Sequence, residues 1–196
     1  MCEQRRHRIR STLMAALVLS AWIAAPAAAL AQTDTSGSGP ADGFLPPVPA
    51  EMEAVSWLEG EWEGEGWMER GGRRMEFQGG EKVERRMGGR LLVVEGDFAI
   101  EAGDRRIPVH QALGIISWAP DAGYTFRTYT ARGGGGEAHG AAVSDGRVVW
   151  GFESPDGSRI RYTITRTAEG LWLEEGHVSS GGDWRQFFEM TLRPVR

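Results

Sequence analysis

The stretch WLEGEWEGEGW, residues 57 to 67, sets Glu59, Glu61, Glu63 and Glu65 at every second position and fills the gaps with tryptophan, glycine and leucine. A period of two is the period of a β-strand, whose successive side chains point to opposite faces. Glutamates two apart on a strand lie about 6.6 Å from one another, whereas a calcium ion needs oxygens converging at about 2.3–2.6 Å. One strand cannot wrap such a comb around a metal. Four aligned buried carboxylates would each be destabilising by several kcal/mol, so the comb is the solvent face of a first strand. Trp62, Gly64, Gly66 and Met68 then face inward, with Trp62 packing at the base and the two glycines leaving space beside it.

Just before the comb, Met52, Val55 and Leu58 fall three residues apart after a proline-rich entry, which predicts a short helix over 51–58. Beyond it, turn signals recur every eight to thirteen residues, among them Gly71-Gly72, Gly88-Gly89, Pro120-Asp121, Asp145-Gly146 and Gly181-Gly182. They divide the chain into ten strands, near 60–68, 74–86, 91–100, 107–118, 124–131, 137–144, 147–154, 159–167, 171–179 and 184–195. Connections this short make antiparallel hairpins. Ten amphipathic strands in up-and-down order close most naturally into an all-β antiparallel barrel, because closure removes both edges. A barrel of that size leaves an internal cavity.

Upstream, Arg5, Arg6, Arg8 and Arg10 precede the uncharged run LMAALVLSAWIAAPAAALA, which ends at Ala29-Leu30-Ala31. A basic segment, an apolar segment and a small-x-small site describe a secretory signal peptide over 1–31. Residues 32–49, QTDTSGSGPADGFLPPVP, have the composition of a disordered linker. Residues 50–196 then form a single barrel domain. Cys2, the one cysteine of the chain, leaves with the signal, so the exported protein forms no disulfide and offers no thiolate.

Signal cleavage removes four arginines and Glu3 from 22 basic and 27 acidic residues, leaving 18 against 26 and a net charge near −8. That balance argues against a nucleic-acid partner, and the scattered arginines make no polybasic patch for a membrane surface. After cleavage no stable membrane insertion is expected, and a periplasmic location is expected.

The chain resembles the calycin-type barrels, and within them the DUF1579 and nitrobindin-like group. The carriers are Gly60-Glu61-Trp62 opening the first strand and the segments WLEGEWEGEG (57–66), MGGRLLVVEG (87–96), LGIISWAPDAGYTF (113–126) and FFEMTLRPV (187–195). The resemblance implies that an arginine near the chain end, Arg193, packs on Trp62. It also implies a haem in the barrel mouth, held by a histidine on a late strand; Ile160 occupies that position here. On the other side, Pro108-Val109-His110 stands where the group places a histidine near the haem, which points His110 into the cavity.

Of other chemistry there is little. His110, His139 and His177 have no paired metal-ligand spacing. On strict alternation His177 shares a mixed face with Leu171, Leu173 and Glu175. None of the serines sits in a nucleophile elbow. The run Gly133 to Gly136 precedes a strand rather than a helix, so it is a hairpin and not a phosphate loop. An acid–base pair of carboxylates would have to form across strands, where the sequence does not point to one.

Aromatic residues spread over most strands and favour a cavity for a small hydrophobic or planar molecule. The expected ligand-binding residues are Trp62, Gly64 and Gly66 at the base, with His110 and Tyr129 as polar handles on the wall. Two other readings use the same fold: a haem-dependent or cofactor-free enzyme working in the cavity, and a ligand-free envelope adaptor.

Overall fold

The computed structural model describes residues 45–196; the expected signal peptide and most of the expected linker lie outside them. After a 3-10 helix, Ala50–Leu58, ten strands follow: β1 (Gly60–Arg70), β2 (Arg73–Arg86), β3 (Leu91–Ala102), β4 (Arg105–Ala119) and β5 (Gly123–Thr130), then β6 (Gly135–Ser144), β7 (Arg147–Glu153), β8 (Arg159–Arg166), β9 (Trp172–Ser179) and β10 (Arg185–Pro194). Each pairs antiparallel with the next, and β1 pairs with β10 to close the barrel. Every strand lies within two residues of its expected bounds.

The helix is 3-10 rather than α because its apolar residues are spaced by three throughout, and a three-residue turn stacks Met52, Val55 and Leu58 on one face. All three are sealed, at 1 %, 0 % and 0 % exposure. They plug one end of the barrel against Trp62, Val83, Leu92, Ile116, Val148, Trp172 and Leu192. Burial of each large side chain contributes roughly 1.5–3 kcal/mol. The indole of Trp62 donates to the Leu58 carbonyl at 2.8 Å, fixing the angle at which the helix meets β1. Outside, Arg85 on β2 reaches Glu59 at 2.6 Å and Glu53 at 3.1 Å. Being exposed, those ion pairs orient the plug more than they stabilise it.

The comb is on the outer face as expected. Glu61, Glu63 and Glu65 are exposed, and Glu63 pairs with Arg193 at 2.9 Å. Arg193 therefore does not pack on Trp62. Leu192 next to it is fully buried, so alternation along β10 turns Arg193 outward, opposite Glu63 in the register. Trp172 takes the place expected of the arginine, meeting the Trp62 ring edge-on with centroids 5.7 Å apart.

Three register shifts interrupt the ladders: between Phe98 and Ala99 on β3, between Tyr124 and Thr125 on β5, and between Gln186 and Phe188 on β10. β6 and β7 are paired only over Ala142–Ser144 and Arg147–Val149. Beyond that seam Gly136 lies against the Phe152 ring, which is part of the cavity wall.

Candidate ligand cavity

Above the plug the barrel holds a cavity of about 370 Å³, within the range used by small-molecule sites. Its wall is aromatic. Phe126 on β5, Trp150 on β7 and Tyr162 on β8 form a ladder of stacked rings, with centroids 5.0 Å and 4.7 Å apart and planes within 11° and 19°. Phe77 and Phe188 stack at 5.8 Å, and Phe188 meets the Tyr162 ring edge-on at 5.9 Å. These rings gather because each strand presents its inward residues at matched heights, and offset stacking of neighbours adds to their burial.

Besides Glu69 near the end of β1, two carboxyl groups interrupt this apolar lining. Glu81 on β2 alternates with Phe77 and Val83, both buried, and so faces inward. Glu174 on β9 follows the sealed Trp172 by two and is itself 8 % exposed. Glu81 is half-buried because it borders the void, yet its Oε2 is sealed and has no hydrogen-bond partner. Gly96, opposite Glu81 in the β2–β3 register, makes room for that carboxyl: a Cβ there would stand 2.8 Å from Glu81 Oε1. The Trp172 indole donates to Glu174 Oε2 at 3.2 Å.

Burial raises the pKa of Glu81 well above the carboxylate range, and the charge of Glu174 raises it further. Glu174 is pushed up to about 7 by burial, opposed in part by the Trp172 hydrogen bond. The Tyr162 phenol is raised by burial and then by Glu174. Neither carboxyl belongs to any of the ion pairs found among the described residues, nearly all of which lie on the exposed surface.

Of the residues expected at the site, His110 lines the cavity. It sits 6.2 Å from the Phe98 ring, and burial, with Arg132 nearby, lowers its pKa. Trp62 is part of the dry base beneath the void. Gly64 and Gly66 lie on the inner side of β1 but hold nothing open. A Cβ on Gly66 would meet Phe77 Cζ and Met190 Cβ at 2.7 Å, and one on Gly64 would collide with the β10 backbone at Thr191. The glycines admit their neighbours, and those neighbours fill the space. Tyr129 is 54 % exposed. Phe126, Thr128 and Thr130 take the inward positions of β5, so alternation puts Tyr129 outside, in a shallow concavity it shares with the comb and Arg193.

The other two histidines stay out of the cavity. His139 is exposed and 3.0 Å from Glu137, and His177 follows the outward positions of β9, with its Nδ1 sealed and unpartnered. Among the described residues no group of three histidine, cysteine or acidic side chains is placed to hold a metal ion. For the haem implied by resemblance, β8 offers Ile160, opposite Phe152, where a nitrogen ligand is required. The residues present do not fit that group.

No family model and no curated protein matches the chain. Among solved structures it is similar to Rv2717c from M. tuberculosis, at TM-score 0.58 and 14 % identity, covering 76 % of this chain and all of that one. It is also similar to the S-type phycobiliprotein lyase CPES from Guillardia theta, at TM-score 0.51 and 8 % identity, covering 74 % and 92 %. Likeness at such identity establishes the barrel architecture and leaves the chemistry to the residues of this chain.

Proposed function

We propose that this protein is exported, loses residues 1–31, and works outside the inner membrane as a barrel that binds a small planar or hydrophobic molecule in its cavity. The observation that carries the reading is the cavity itself: about 370 Å³, walled by stacked aromatic rings, with a few convergent polar groups, above a fully packed base. A core that needed only stability would fill such a space, because voids forfeit dispersion contacts.

Native mass spectrometry of the protein purified from its own cell envelope tests both halves. The expected polypeptide begins at Gln32 and carries an additional non-covalent mass, and Ala112→Trp, which pushes an indole into the cavity from β4, abolishes that mass. A bare polypeptide from both parent and variant contradicts the binding reading, and a chain still starting at Met1 contradicts export.

A further inference from the structure

Buried carboxylates persist in proteins when something pairs with them. Glu81 and Glu174 have no such partner. Burial and their mutual repulsion are what act on Glu81, and a single neutral indole is what reaches Glu174. Both nevertheless border the void, and Gly96 leaves the Glu81 carboxyl the space a side chain would take. The Phe126–Trp150–Tyr162 ladder forms another part of the same wall. Aromatic faces attract cations, more strongly where water is excluded.

We infer that the ligand is a planar apolar amine, and that its protonated nitrogen is received by Glu81 and Glu174 while its ring system lies against the aromatic wall. The inference rests on the cavity being the binding site. Arriving with its own charge, such a ligand supplies the cation that no side chain among the described residues brings to these two carboxyls. A neutral or anionic molecule of the same shape leaves the carboxyl pair unmatched and binds less well. This is specificity by a buried polar group that only the correct partner satisfies.

Other titratable groups also face the cavity: Tyr162 from β8, His110 from β4, Glu69 and Arg70 from the end of β1, and Arg132 beyond β5. Glu69 is already engaged by Arg185 at 2.6 Å. As pH falls from 8 through about 7 Glu174 takes up a proton, and any charge gained by His110, whose pKa burial lowers, adds to the positive potential of the cavity. Both changes weaken the binding of a cation, so the inner carboxyls are separated from the histidine by substitution.

The test uses three probes of one shape: 1-naphthylmethylammonium, 1-naphthalenemethanol and 1-naphthoate, titrated by calorimetry at pH 8. The ammonium is expected to bind at least tenfold more tightly than the alcohol, and the naphthoate most weakly. Glu81→Gln with Glu174→Gln brings the ammonium-to-alcohol ratio to within twofold of one. An outer variant, Glu61→Gln with Glu63→Gln and Glu65→Gln, keeps the full ratio. In the parent alone the ratio collapses at pH 5, so the answer does not depend on the double variant folding.

Alcohol binding without preference for the ammonium overturns the amine assignment and leaves the cavity reading standing, as does a preference that survives in the double variant or disappears in the outer one. Absence of binding by all three probes overturns both.

Discussion

The two ends of this barrel are built differently from the same alternating strands. At the base, a 3-10 helix feeds Met52, Val55 and Leu58 into a layer that includes Trp62, Trp172 and Leu192. In the upper half the inward positions carry aromatic rings, two carboxyls and a histidine around a void. Stability is concentrated where packing is complete and chemistry where it is not. A rigid base lets the upper half keep unpaired polar groups that a fully packed core would exclude.

The sharpest way to break that comparison is to truncate one large side chain in each half. Trp172 is 2 % exposed and touches both Trp57 and Trp62. Trp172→Ala is expected to lower the unfolding free energy by about 3–5 kcal/mol in urea titrations. Phe152→Ala, at the half-buried rim, is expected to lower it by under about 2 kcal/mol. Equal losses would mean that the two halves are packed alike.

Acid–base behaviour separates the halves next. For Glu174 the folded-state pKa is raised, from 4.5 to about 7, so the folded protein favours the protonated carboxyl. The associated stability is fully present below pH 4.5 and is lost as pH rises through 7. Linkage puts this at about 3 kcal/mol relative to Glu174→Gln across that window, and Glu81 acts in the same direction. Exposed carboxyls such as Glu53 and Glu84, lowered by arginine and lysine partners, act oppositely and only at more acid pH. Parallel pH profiles for the parent and Glu174→Gln would show that the carboxyl is not buried.

Smaller effects belong to the wall between the halves. Gly66→Ala forces a methyl into Phe77 and Met190 and is expected to lower stability by about 1–3 kcal/mol. A silent substitution would mean that Gly66 does leave open space. Glutamine at Glu61, Glu63 or Glu65 is expected to change stability by no more than about 0.5 kcal/mol each, as at other exposed positions.

Much of this architecture was legible from the chain because it rests on periodicity. Alternation in the comb and regular turn signals gave ten strands, and closure followed from the need to protect edges. The short helix was legible from the three-residue spacing of Met52, Val55 and Leu58, though not that it plugs the barrel. What escaped was which strand face turns inward at places where both faces carry apolar residues. In LWLEEGH, Leu171 and Leu173 compete with Trp172 for the core side, and so Glu174 was hidden among acidic neighbours. Glu81 had a readable signal, since it shares parity with Phe77 and Val83, but a glutamate beside Lys82 resembles surface. Tyr129 has the chemistry of a polar handle, although the parity of Phe126 and Thr128 turns it outward. Carboxyls on strands β2 and β9 have no sequence spacing at all; only the closed barrel turns both onto one cavity.

Methionine methyl resonances test the central claim, that a ligand sits inside the barrel against the inner carboxyls. Met68 and Met190 line the cavity, Met52 is sealed in the plug and Met87 is 69 % exposed. With 13C-methyl methionine and 1-naphthylmethylammonium, the account predicts large ring-current shifts at Met68 and Met190, none at Met52 or Met87, and their loss in the Glu81→Gln, Glu174→Gln variant at the same probe concentration. Shifts centred on Met87, or an unmoved Met190 at saturation, would contradict it.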